Sequence, residues 1–126
     1  MTDDTDASLV AAFEATALAD FPHDAHVRVA WYYLKQSSLP EAMARFIAGI
    51  QRYAASKGAA HKYHETITIA WLLLIAERVG DSPDLTWLAF VSRYPELCDP
   101  SLLSRYYRPE TLASERARKG FVWGDR

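Results

Sequence analysis

Four histidines carry the clearest chemical pattern in this chain, and they fall into two pairs, His23 with His26 and His61 with His64. Residues three apart share a helix face, so each pair can aim two imidazoles at one point. Helices packed side by side can bring two such points together, as metal sites in helix bundles do. Both pairs are expected in the first turns of their helices. There the positive end of the macrodipole disfavours imidazolium and keeps the rings neutral, as metal binding requires. His26 and His64 stand closest to the apolar stripes, with His23 next. His61, in Ala59-Ala60-His61-Lys62, is expected to face solvent.

Oxygen donors flank the pairs in Asp24, Tyr63 and Glu65. Glu65 follows His61 by four residues and His64 by one. It suits a ligand, an acceptor for an imidazole N–H, or a general base acting on metal-bound water. The expected metal set is therefore His23, His26, His64 and Glu65, with Glu65 also the candidate catalytic residue. Thr68, one turn beyond His64, is placed to hydrogen-bond a bound oxygen species. Nitrogen and oxygen donors without a thiolate cluster suit Zn, Cu(II), Ni or Fe. The plainer alternative is that the histidines are surface or capping residues at helix starts.

Other chemistries find less support. His64-Glu65-Thr66-Ile67-Thr68 is not His-Glu-x-x-His, no Gly-x-Ser-x-Gly elbow is present, and the five glycines are scattered rather than gathered in a phosphate loop. Trp31, Tyr32 and Tyr33, taken with Trp71, read as a ligand pocket or simply as core. Arg28 reads as an anion holder near the site or as a solvated residue. Cys98 lacks an activating neighbour and is expected to be buried filler.

The elements that must position these residues are helical. Leu9, Val10, Phe13, Ala17 and Leu18 recur at helical spacing and predict a first helix from Ala7 to about Asp20. A second is expected from Pro22 to Gln36 with Asp20 as its cap, and a third from Pro40 to Ser56 behind Ser38. The third places Met43, Phe46, Ile47, Ile50 and Tyr53 on one face, and Gly58 suits a left-handed terminal position. A fourth covers about Ala60 to Val79, and a fifth runs from Asp84 to about Tyr94. No stretch alternates as a strand does. The expectation is an all-α, compact bundle of about five helices. Its irregular C-terminal segment would be pinned by Tyr106, Tyr107, Phe121 and Trp123. Residues 1–6 are expected to be a disordered acidic N-terminus, and residues 7–126 one helical domain.

Composition bounds the function classes. With 126 residues, half of them hydrophobic and 24% charged, the chain can bury a core without staples. A net charge of -2 with dispersed Lys and Arg argues against nucleic acid as a partner. The most apolar run, Ile67 to Ala76, is too short to span a bilayer, so no membrane partner is expected either. An acidic start and a single cysteine lead to the expectation of a cytoplasmic protein.

The segments Phe21-Pro22-His23-Asp24-Ala25-His26-Val27-Arg28-Val29-Ala30-Trp31 and Lys62-Tyr63-His64-Glu65-Thr66-Ile67-Thr68, with the later Arg105-Tyr106-Tyr107, resemble a family of small bacterial helical proteins. The resemblance covers most of the chain from Phe21 onward. It implies no reaction, and its signatures include His23, His26 and Tyr63-His64-Glu65 but not His61. The DinB-like helical metal proteins are similar in architecture only, which transfers no function. The function expected from all this is binding of one divalent transition metal, with activation of water or dioxygen against a small substrate if the protein is an enzyme. The alternatives are a non-catalytic interaction module, such as a homodimer burying Trp87, Tyr107 or Trp123, and a metal-free carrier of a small-molecule ligand near Trp31 and Trp71.

Overall fold

The computed structural model describes residues 4–126. Five longer helices follow in order: α1 (Asp4–Glu14), α2 (His23–Gln36), α3 (Leu39–Ser56), α4 (Glu65–Asp81) and α5 (Trp87–Arg93). Beyond them come two 3₁₀ turns, Pro95–Cys98 and Pro100–Arg105, and two short helices, α6 (Pro109–Leu112) and α7 (Glu115–Lys119). The fold is all-α, with no strand among the described residues. Among the described residues no helix is long and apolar enough to cross a membrane.

Helix α2 is the axis of the molecule and packs on α1, α3 and α4. Val27, Val29, Ala30, Trp31 and Tyr33 are all buried along it, so its apolar surface is wider than one stripe. A helix of that kind needs neighbours on several sides. The core around it draws Phe13 from α1, Phe46 from α3, Leu72 and Ile75 from α4, Phe90 from α5 and Leu97 and Leu102 from the 3₁₀ turns.

Side chains fix the starts of α3 and α5. Ser38 Oγ accepts the Glu41 N–H at 3.4 Å and donates to the Glu41 carboxylate at 3.0 Å, which starts α3 as expected. Thr86 accepts the Ala89 N–H at 3.3 Å and starts α5, later than the sequence pattern suggests. Gly58 takes the expected left-handed conformation, with φ +68.

Three boundaries differ from expectation, each for a local reason. Helix α1 stops at Glu14, and Thr16 adopts φ 54 two residues later, so the apolar residues Ala17 and Leu18 lie beyond its end. Pro22, not Asp20, is the residue before α2, and it supplies no side-chain bond. The predicted fourth helix is broken: Ala60–Lys62 is a 3₁₀ turn, and α4 begins only at Glu65. Of the terminal stretch expected to be disordered, residues 1–3 lie outside the described residues. Asp4 to Asp6 form the start of α1. Asp6 is buried there because its carboxylate accepts from Arg28 Nε at 2.6 Å.

The tail is held mainly by backbone-directed hydrogen bonds. Thr66 Oγ1 donates to the Gly120 carbonyl at 2.9 Å and accepts the Val122 N–H at 3.1 Å, while the buried Tyr107 donates to the Val122 carbonyl at 2.6 Å. Trp123, expected to pin the tail, is instead 79% exposed and meets Phe121 edge-on.

Candidate functional site

A cavity of about 500 Å³ lies between α2, α3 and α4, closed at one end by the 59–64 connection. Helix α2 contributes His23, His26, Val27 and Ala30, and α3 contributes Phe46, Ile50, Tyr53 and Ala54. Helix α4 contributes Ile67, Thr68, Trp71, Leu72 and Ile75, and the connection adds Ala59, Lys62, Tyr63 and His64. Lys57 and Lys62 are exposed and mark the mouth. The walls are mainly apolar and the polar groups few, as in small-molecule sites generally.

His64 is the N-cap of α4, not a first-turn residue. Its Nδ1 accepts the Ile67 N–H at 3.1 Å, and its Nε2 donates to the Leu112 carbonyl at 2.7 Å. An amide can only donate and a carbonyl only accept, so the ring is the neutral Nε2–H tautomer with both nitrogens engaged. The break at residue 63 creates this role, because Tyr63 and His64 are extended and leave the first amides of α4 in need of an acceptor.

His23 Nε2 donates to the Leu97 carbonyl at 2.8 Å, and its ring meets Trp71 edge-on at 4.5 Å. One turn later, His26 stacks on Phe21 at 3.9 Å, near the Phe21 carbonyl. Burial, reinforced by the nearby His23 ring, pushes the His26 value down from 6.5 to about 4 against the opposing effect of that carbonyl. His26 is therefore a neutral imidazole at physiological pH.

Tyr63 donates its hydroxyl to Glu65 Oε1. Burial first, and then the bond to the Glu65 carboxylate, push the phenol well above its usual range. Thr68 donates to the His64 carbonyl at 2.8 Å and lies within hydrogen-bond reach of Tyr63.

The structure thus brings His23, His26 and His64 to one cavity, as their spacing suggested, but not as a ready ligand set. Among the described residues no group of three or more His, Cys, Asp or Glu side chains is arranged to hold a metal ion. His64 would have to give up its cap to ligate. Glu65 is not in the lining, and its carboxylate is turned to Tyr63. His61 is exposed, as expected, and its backbone carbonyl accepts from Arg118.

Trp31 is core, one of the two readings offered, and is fully buried against Trp87 and Phe90, while Trp71 lines the cavity. Other expectations need correction. Arg28 is neither an anion holder nor simply solvated, since it pairs with Asp6 and lies over Trp87. Cys98 is exposed rather than buried. Tyr107, named for an exposed dimer face, is buried at 3% exposure, and Trp87 is packed on Trp31. Sequence reasoning did not assign Phe46, Ile50 and Tyr53 to the site. Their shared face on α3 was legible, but a stripe facing a cavity looks the same as one facing a filled core. Lys57 and Lys62 gave no signal at all.

No known family model, curated protein or solved structure matches this chain.

Proposed function

We propose that the protein binds a small, largely apolar molecule in the cavity between α2, α3 and α4. The observation that carries this is the cavity itself: about 500 Å³, walled mainly by aliphatic and aromatic side chains, with few polar groups among them. Trp71 lines it, so occupancy is readable by tryptophan fluorescence. Titration with a panel of aromatic and aliphatic metabolites is expected to give a saturable change that a chelator leaves untouched. The change should shrink strongly in Trp71→Phe. Absence of any saturable ligand across the panel would refute the reading.

A divalent metal is the second reading, and it now rests on His23 and His26 alone. His23 spends one nitrogen on the Leu97 carbonyl and, when neutral, keeps the other as a lone pair, and His26 lines the cavity one turn away on the same helix. Zn, Cu, Ni or Fe bound there would supply a Lewis acid beside an apolar cavity, the setting for an enzyme that activates water or dioxygen. Metal analysis of untagged protein separates the two readings. Retention of less than about a tenth of an equivalent after reconstitution would exclude the metal.

A further inference from the structure

The cavity is graded along its length from apolar to cationic. On α3, Phe46, Ile50, Tyr53 and Lys57 fall at helical spacing and all line it, passing from buried through half-buried to exposed. Helix α4 and the connection before it repeat the trend, from the buried Ile75 and Leu72 to the exposed Lys62. Among the described residues no Asp, Glu or Arg lines the cavity, so the two lysines set the charge of its mouth. None of the ion pairs among the described residues involves either ammonium. Lys57 instead holds its Nζ over the Tyr53 ring, 5.6 Å from the centroid, which keeps that charge at the edge of the cavity. Glu65, the acid nearest to Lys62 in sequence, lies outside the lining and holds the Tyr63 hydroxyl. We infer, on the ligand-binding reading of this cavity, that its occupant is an apolar carboxylic acid, bound with its hydrocarbon inside and its carboxylate paired with Lys57 and Lys62 at the mouth.

Charge and burial sort the possible headgroups. A carboxylate deep among Phe46, Leu72 and Ile75 would lose its water with no cation to replace it, so the headgroup belongs at the exposed end. There it stays partly hydrated and meets two ammonium groups, whose hydrogen bonds to a carboxylate are charge-assisted. An ammonium headgroup would meet two like charges at the same place and no acid in the lining. An alcohol fits the mouth but gains nothing from its charges. Tyr53, one turn before Lys57, and Trp71 keep an O–H and an N–H without a partner among the described residues, and such donors suit a headgroup that only accepts.

The test uses the intact protein with a chelator present, so that no metal can hold the headgroup, and matched octyl probes read by calorimetry and tryptophan fluorescence. Octanoate is expected to bind several-fold to about tenfold tighter than octanol at low salt, with octylammonium weakest. High ionic strength should erode that advantage without weakening octanol. Lengthening the acid from hexanoate to octanoate should tighten binding about fourfold per methylene, because the chain enters the cavity. Octanoate and octanol should bind alike when Lys57→Met and Lys62→Met are combined, whereas Lys57→Arg with Lys62→Arg should keep the preference. Both lysines are exposed, so these variants leave the core untouched. Equal binding of octanoate and octanol to the wild type, or tighter binding of octylammonium, would overturn the carboxylate assignment while leaving the cavity a ligand site. An octanoate preference that survives loss of both lysines would overturn it as well. If no probe binds, the ligand-binding reading falls, and this inference with it.

Discussion

Acidification should unfold this protein partly through one residue, His26. Its value is about 4 in the folded chain against 6.5 when unperturbed, so the unfolded chain takes up the proton first. Stability is therefore complete above 6.5, declines as the pH falls through the window from 6.5 to about 4, and is fully lost for this group below it. Between about pH 7.5 and about pH 5 the linkage amounts to roughly 2 kcal/mol. The ring is partly exposed, and solvent screening reduces the expected loss to between about 1 and 2 kcal/mol. Urea unfolding at the two pH values measures it, provided the denaturant slope is constant. His26→Gln and His26→Phe cannot titrate at this position, and their stability should fall less with acid by that amount, whatever each substitution costs at neutral pH. Burial against Phe21 and Phe46, reinforced by the nearby His23 ring, lowers the value, and the Phe21 carbonyl opposes it. If the variants lose as much stability on acidification as the wild type, or if the His26 ring resonances titrate near 6.5, the reasoning about burial is refuted.

Two glycines should respond in opposite directions. A Cβ at Gly49 would stand 2.2 Å from Cε2 of the fully buried Phe13, so Gly49→Ala is expected to cost about 1–3 kcal/mol despite the better helix former. Nothing lies within 4 Å of a Cβ at Gly80, and Gly80→Ala near the end of α4 should gain up to about 1 kcal/mol; thermal or urea midpoints of both variants check the pair. Thr66→Val should cost about 1–3 kcal/mol, because it leaves the half-buried Gly120 carbonyl and Val122 N–H without the fully buried Thr66 hydroxyl. Hydrogen exchange should then accelerate at Val122, and unchanged protection there would show that Thr66 does not hold the tail.

How much of this was legible beforehand depends on whether the signal was local. The helical class, the Ser38 cap, the left-handed Gly58 and the extents of α2 and α3 within a residue or two follow from short-range rules of spacing and capping. The grouping of His23, His26 and His64 around one space was also legible, because helical spacing puts the first two on one face and α2 and α4 are neighbours. The roles of those residues were not. Whether an imidazole nitrogen is free to ligate depends on which distant carbonyl it meets, and Leu97 and Leu112 lie 74 and 48 residues away from their partners.

The two histidine pairs with which the sequence opened make the division concrete. Composition and periodicity determined that these rings would sit on or beside helices near the apolar core. Only the tertiary structure decided that Ala60–Lys62 turns as a 3₁₀ segment, that His64 caps α4 with both nitrogens, and that Glu65 turns to Tyr63. Only it decided, too, that α3 stands far enough from α2 and α4 to leave a cavity between them. The physical reason is the range of the forces involved. Backbone propensity and capping act over three or four residues, whereas the direction of a lone pair and the space left between helices are set by contacts between segments distant in the chain.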